Sequence, residues 1–143
     1  MTTLYLDTEF NGFGGPLISM ALVSDEGHEF YEAVEFEGVI DPWVHENVIP
    51  KIGRPSIPQS LFRNALHSFM RQFDNPLVVC DWHADLMHFF ASFAGENYEN
   101  SMNYKCRTLL LDSGVGDWPN PMPHNALCDA RVLRDWHISQ RGA

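Results

Sequence analysis

The chain has 143 residues, which suits a single domain over residues 1–143 with one hydrophobic core. Its 45% apolar and 13% aromatic content argues against disorder, and no apolar run or basic leader predicts a membrane span or a secretion signal, so we expect a cytoplasmic protein without membrane association. The formal net charge of −10 argues against a broad basic surface for nucleic acid, but it is compatible with an enzyme that contacts a few phosphates through bound metal ions.

Three strand patterns fill the first part of the chain. Thr3–Phe10 alternates apolar and polar residues, Leu17–Ser24 is mostly apolar, and His28–Phe36 is rich in aromatic residues and valine. The connections, residues 11–16 and 25–27, are short and contain glycine. These patterns predict an antiparallel three-stranded meander.

Helical and strand patterns alternate in the rest of the chain. Asp41-Pro42 predicts the start of a short helix that ends near Val48, because proline is favoured at the first helical position. Apolar residues at steps of four, three and four predict a helix over Gln59–Phe73. The later elements are a buried strand Leu77–Cys80, a helix Ala84–Phe93 with an apolar stripe at Leu86, Phe89, Phe90 and Phe93, a strand Tyr104–Leu111 and a helix Asn125–Arg141. The segments expected to be loops are Pro50–Pro58, Glu96–Asn103 and Ser113–Pro123. This order predicts an α/β fold in which a five-stranded mixed sheet, with the antiparallel meander first, is flanked by α-helices.

Asp7 and Glu9 are the first candidates for chemistry. Side chains two residues apart on a strand point to the same face, so these carboxylates lie side by side near the end of an apolar strand. Like charges this close repel one another, and a divalent cation between them removes the repulsion. The alternative is a solvated strand end without a metal.

Asp129 is a carboxylate on the apolar face of the last predicted helix. That face is formed by Ala126, Val132, Leu133 and Trp136. A carboxylate in this position needs either a metal or a buried ionic partner. His124, in the proline-containing turn before the helix, suits a general base because imidazole exchanges protons near neutral pH, although a histidine without a role is the alternative.

Asp81 and Asp85 lie between a buried strand and an apolar helix. Either residue is a candidate for the N-cap of that helix, which is the common role of aspartate there. Asp85 also adjoins the apolar stripe, so it is able to face the sheet near the end of the first strand. The three cysteines, Cys80, Cys106 and Cys128, form no Cys-x-x-Cys pair and are expected to be reduced thiols.

The order of these acidic motifs resembles a known enzyme family. The motifs are Asp7-Thr8-Glu9-Phe10, Asp81-x-x-Ala84-Asp85 and His124-x-x-x-x-Asp129-Ala130. They are similar to the three motifs of the DEDDh branch of the DnaQ-like exonucleases, which have a ribonuclease H-like fold. Within that branch the chain most resembles the small exoribonucleases known as ribonuclease AS, which also have a segment similar to 43–51, Trp-Val-His-Glu-Asn-Val-Ile-Pro-Lys.

The resemblance implies a metal-dependent 3′→5′ exoribonuclease that releases nucleoside 5′-monophosphates from single-stranded RNA. It implies Asp7, Glu9, Asp85 and Asp129 as ligands of two Mg²⁺ or Mn²⁺ ions and His124 as the general base. In the middle motif, Asp81 stands where the family usually has asparagine and Ala84 where it usually has an aromatic residue, so the ligand is Asp81 or Asp85, and we favour Asp85. The resemblance also implies a homodimer.

The residues just after the acidic pair are candidates for substrate binding. Phe10 and Phe13 are candidates to stack on the terminal base, with ordinary core or loop packing as the alternative, and backbone groups around Asn11 and Gly12 are candidates to bind the terminal ribose. Three alternatives are a DNA exonuclease with the same five catalytic residues, a non-catalytic nucleic-acid-binding module, and a metal-dependent phosphatase.

Overall fold

The predicted meander forms the first half of a mixed sheet. The computed structural model describes residues 1–95, 104–111 and 117–142, so the predicted loop Glu96–Asn103 and residues 113–116 of the predicted loop Ser113–Pro123 lie outside the described residues. The strands of the meander are β1 (Thr3–Phe10), β2 (Leu17–Ser24) and β3 (Glu29–Val34), and each pairs antiparallel with the next. This part of the fold is as the alternation predicts.

The helices and the remaining strands follow the meander. They are α1 (Pro42–Asn47), a 3₁₀ turn (Ile49–Lys51), β4 (Ser56–Ile57), α2 (Gln59–Met70), β5 (Leu77–Cys80), α3 (His83–Ala94), β6 (Arg107–Leu110) and α4 (Ala126–Arg141). The strand order in the sheet is β4-β3-β2-β1-β5-β6, with β4, β5 and β6 each parallel to a neighbour. The protein is therefore α/β, with a mixed sheet flanked by helices.

The predicted number of five strands is wrong, because the described residues form six. The additional strand, β4, lies inside the predicted loop Pro50–Pro58 and pairs with Ala33 and Val34 of β3. Two residues between prolines are too short to show a period of two, so the sequence pattern does not reveal them.

The two faces of the sheet are covered by different helices. α2 and α3 cover one face, where Leu4 and Leu6 of β1 lie in the larger apolar cluster. α4 covers the other face, where Tyr5 of β1 packs with Leu133. Phe90 does not join the buried stripe of α3: it lies at the edge of that stripe and is exposed. Among the described residues, no helix combines the length and the apolar character needed to cross a membrane.

Candidate metal centre

The strand β1 places Asp7 and Glu9 on the side of the sheet that faces α4. Side chains alternate along a strand, so Asp7 and Glu9 follow Tyr5, which packs under α4. β5 pairs in parallel register with Thr3–Tyr5 and ends at Cys80, so the next residue, Asp81, comes level with Asp7. The end of β5 therefore brings a third carboxylate beside the acidic pair.

Asp85 reaches β1 from the opposite side of the sheet. It lies in the first turn of α3 and is 2% exposed. Its Oδ1 accepts two hydrogen bonds from Thr8, from the hydroxyl at 2.6 Å and from the backbone N–H at 3.2 Å. The N-cap of α3 is Trp82, so neither Asp81 nor Asp85 has the capping role that was the alternative for them.

Asp129 is held by the loop that leads into α4. Asn125 is the N-cap of this helix and accepts a hydrogen bond from the Cys128 N–H at 2.9 Å. One oxygen of Asp129 accepts from the Asn120 amide at 2.6 Å, and the other accepts from the backbone N–H of His124 at 3.2 Å. Asp129 makes no ion pair with a lysine or arginine among the described residues, and the Glu9 carboxyl is a further hydrogen-bond partner.

These carboxylates form two groups that share Asp7. Oxygens of Asp7, Asp81 and Asp85 lie within 4.8 Å of one another, and so do oxygens of Asp7, Glu9 and Asp129. Each group is able to hold a cation. The middle motif therefore contributes both of its aspartates to the same group.

Burial and mutual repulsion make this cluster unfavourable as a set of free anions. Burial raises the pKa of Glu9 to about 8, with the Asp129 carboxylate adding to the shift, and raises the pKa of Asp85 to about 7 against the hydrogen bonds from Thr8. Burial and then the charges of Asp85 and Asp129 hold the pKa of Asp7 well above its usual value. Like charges in a poorly hydrated site disfavour ionisation in this way.

The donor set fits divalent cations. The Oδ2 atoms of Asp7 and Asp85 are buried and accept no hydrogen bond from the described residues. Buried acceptors without donors are costly, and cations would supply the missing partners. Carboxylate oxygens without cysteine or histidine suit Mg²⁺ or Mn²⁺.

A cleft of about 750 Å³ opens onto both carboxylate groups. Aromatic side chains stand on its walls: Phe13 is 89% exposed, Trp43 53% and Trp82 39%. Phe10 and Phe13 each lie 5.5 Å from Trp82 between ring centroids. The His124 ring lies in the same lining and meets the Trp43 ring edge-on.

Not all of the residues predicted to bind substrate line the cleft. Phe10, Gly12 and Phe13 line the cleft, whereas Asn11 does not. The Asn11 side chain instead bridges two backbone groups, donating to the Val39 carbonyl at 2.9 Å and accepting from the Asp41 N–H at 2.7 Å. The Gly12 N–H donates to the Phe10 carbonyl within its own turn. Asn11 thus fixes the position of the loop that carries Asp41.

Several residues of the site are missing from the sequence-based set. Thr8 and Asn120 orient two of the carboxylates, and Trp43 and Trp82 form walls of the cleft. Thr8 lies inside the Asp-Thr-Glu motif and Trp82 directly follows Asp81, so proximity to the acidic motifs was an available signal for these two. Asn120 has no local signal, since its role depends on how the loop folds back onto α4.

No protein-family model matches this sequence, and no curated protein is significantly similar to it.

Proposed function

We propose that the protein is a metal-dependent 3′→5′ exonuclease of the DEDDh type, with a ribonuclease H-like fold, acting on the 3′ ends of single-stranded nucleic acid. The observation that carries this proposal is the pair of carboxylate groups that share Asp7. Two adjoining cation sites that share a ligand suit phosphodiester hydrolysis. The resemblance of the motifs favours RNA over DNA and favours a homodimer.

Asp7, Glu9 and Asp129 would hold one Mg²⁺ or Mn²⁺, and Asp7 with Asp81 and Asp85 would hold the other. When bound, such ions lower the pKa of a water and neutralise charge on the reacting phosphate and on the leaving 3′ oxygen. Asp85 takes part through its free oxygen, because Thr8 engages the other.

His124 is the proposed general base. Its ring lines the cleft, and its backbone N–H is bonded to the Asp129 carboxylate, so its position is tied to that of a metal ligand. An imidazole at this place accepts the proton of the attacking water. Base stacking on the aromatic wall formed by Phe13 and Trp82 would contribute about 1–3 kcal/mol per base without much sequence preference. This mode of binding suits a chain of net charge −10, which has few basic side chains to bind phosphates.

The test is digestion of 5′-labelled RNA and DNA oligomers of equal sequence with Mg²⁺, with Mn²⁺ and with chelator. We expect a ladder that shortens from the 3′ end only when a metal is present, and faster on RNA. A faster ladder on DNA would make the protein a DNA exonuclease that uses the same residues. Release of inorganic phosphate from mononucleotides without a ladder would instead identify a phosphatase and overturn the proposal.

The matched variants are Asp129→Asn and Asp135→Asn, both on α4. Asp129→Asn is expected to abolish digestion while thermal unfolding stays cooperative, because the ligands of one site act as a unit. Asp135, which is exposed and pairs with Arg134, controls for the loss of a carboxylate from this helix and should leave digestion unchanged. Undiminished digestion by Asp129→Asn would contradict the assigned metal site.

A further inference from the structure

One short stretch of chain contacts His124 and both of its neighbours in sequence. The Trp43 ring meets the His124 ring edge-on with centroids 5.0 Å apart. The Lys51 Nζ donates to the Pro123 carbonyl at 3.0 Å, and the Asn125 amide donates to the Lys51 carbonyl at 2.7 Å. We name the segment 43–51, which contains most of α1 and the 3₁₀ turn, the His124 bracket.

His124 has a backbone conformation that requires such support. Its φ is 67°, in the left-handed region that residues other than glycine seldom adopt. A conformation of this kind is unfavourable for a residue other than glycine and persists only where the surroundings impose it. In this conformation the backbone N–H of His124 donates a hydrogen bond to the Asp129 carboxylate. The position of the base and the position of a metal ligand therefore depend on one strained residue.

The bracket is itself fixed to the sheet. The Tyr31 hydroxyl, on β3, donates at 2.7 Å to the carbonyl of Ile52, the residue that directly follows the bracket, and lies 3.4 Å from the Asn125 amide. Val44 and Val48 are buried in a small apolar cluster with Ile18 of β2. These contacts make the bracket a rigid support, so a group at its end is able to impose a position on the loop that carries His124.

Lys51 is the charged end of the bracket, and its positive charge lowers the pKa of Glu9, against the larger effect of burial. It does not line the cleft, so it is not placed to hold substrate there. The Lys51 residue as a whole is half-buried, and its ammonium donates to the Pro123 carbonyl at 3.0 Å on the exposed side of the loop. Its own backbone carbonyl accepts a hydrogen bond from the Asn125 amide, and the carbonyl of the next residue, Ile52, accepts one from the Tyr31 hydroxyl.

We propose that Lys51 is a positioning residue for His124, acting through the Pro123 carbonyl to hold the loop in its strained conformation. This inference rests on the proposed function, in which His124 is the base. Loss of the ammonium releases the loop, His124 relaxes from its left-handed conformation, and the imidazole leaves the position from which it accepts a proton. The cost then falls on the chemical step and not on the binding of substrate.

The test uses the two lysines of the chain, Lys51 and Lys105. Lys51→Met removes the ammonium and keeps an unbranched side chain, and Lys105→Met makes the same change at an exposed position. We expect Lys51→Met to lower kcat by about tenfold or more with KM within about twofold, since a small displacement of a catalytic group is costly. Lys51→Arg, which keeps a donor, should recover part of the rate, and Lys105→Met should match the wild type.

A double variant separates positioning from a general effect on the fold. If Lys51 acts through His124, then Lys51→Met should cause no further loss in a His124→Ala background. An equal loss in both backgrounds, an effect on KM alone, or the same rate for Lys51→Met and Lys105→Met would overturn the proposal.

A spectroscopic measurement tests the same inference without any activity. The neighbouring indole of Trp43 shifts the ring proton resonances of His124, which are assigned by comparison with His124→Ala. Lys51→Met should move these resonances toward those of a solvated histidine, and Lys105→Met should not. A folded chain that cleaves no oligomer would refute the proposed function, and the resonances would still decide whether Lys51 positions His124. Unmoved resonances in Lys51→Met would refute the positioning role by themselves.

Discussion

Asp7 is the residue that makes the two carboxylate groups one site. It is partly buried in the central strand β1, level with Asp81 at the end of β5 and on the face of the sheet covered by α4. One of its oxygens is buried and accepts no hydrogen bond from the described residues. Within the part of the chain that the structure describes, the groups that most raise its pKa after burial are other carboxylates, so they do not neutralise it. A cation on either side is the simplest source of stabilisation for this residue.

Thr8 determines which oxygen of Asp85 is available to a cation. The change Thr8→Val keeps the shape of the side chain and the backbone hydrogen bond but removes the 2.6 Å bond from the hydroxyl. Partners of this kind typically change metal affinity by about 10–100-fold. We expect the Mg²⁺ concentration for half-maximal activity to rise by about tenfold or more, measured by titrating Mg²⁺ in the oligomer assay. Thr3→Val, a buried threonine on the same strand, is the control, and an equal shift in that variant would contradict a specific role for Thr8.

The sequence predicts the site residues whose position depends on local periodicity. Asp7 and Glu9 share a face because a strand repeats every two residues, and Asp129 lies on the buried face of its helix because of the helical repeat. The convergence of Asp81 and Asp85 depends instead on the register of β5 against β1 and on the docking of α3. The periodicity of a single segment predicts neither the register between two strands nor the docking of a helix. The same limit applies to Asn120, whose partner is nine residues away in a different element.

At the scale of the element, α4 approaches the sheet closely because its inner face is small. Ala126 and Ala130 are fully buried and pack against Ala21 and Val23 of β2. Small side chains let a helix lie near a sheet, and the Asp129 carboxylate comes within 4.8 Å of oxygens of Asp7 and Glu9. The alanine face therefore sets the distance between the ligands of one proposed cation.

A larger residue at Ala130 should displace α4 and separate these ligands. We expect Ala130→Leu to cost about 1–3 kcal/mol in the free energy of unfolding, as overpacking commonly does, and to weaken Mg²⁺-dependent activity as well. Gln140→Leu, at an exposed position of the same helix, controls for the added apolar volume. Denaturant unfolding and Mg²⁺ titration together provide the check. Destabilisation with an unchanged Mg²⁺ requirement would show that the helix position does not set the ligand geometry.

The sequence predicts an element accurately where the segment is long and periodic. The strands of the meander and the helices α2, α3 and α4 lie within a few residues of their predicted bounds. β4 was missed because a strand of two residues forms only through its pairing with β3, which is a contact distant in sequence. The short helix α1 was predicted from Asp41-Pro42, and its N-cap bond from the Trp43 N–H to the Asp41 side chain explains why that local signal was sufficient.

At the scale of the whole molecule, the net negative charge and the carboxylate cluster both make the folded protein without divalent cations less stable. A net charge of −10 adds long-range repulsion to a cluster in which burial already disfavours ionisation. The folded protein without divalent cations therefore carries an electrostatic cost that the unfolded chain does not. Metal binding and folding stability should be linked as a result.

The variant Glu9→Gln tests this linkage, with the sign set by the raised pKa of Glu9. Because the pKa of this group is about 8 in the folded protein and 4.5 ordinarily, the folded state binds more protons between these values, and wild-type stability falls as the pH rises through that window. Without metal, Glu9→Gln should therefore equal the wild type near pH 4 and exceed it by on the order of 1–3 kcal/mol near pH 9.

Addition of Mg²⁺ should reverse the order of the two proteins at high pH. The wild type then gains stability from an ionised Glu9 ligand, whereas the variant has lost that ligand and gains less. Denaturant unfolding at several pH values, with chelator and with Mg²⁺, measures both effects, and Glu26→Gln in an exposed turn controls for the loss of one negative charge. A stability difference that stays constant with pH, or that Mg²⁺ leaves unaltered, would mean that Glu9 does not share a cation with Asp7 and Asp129.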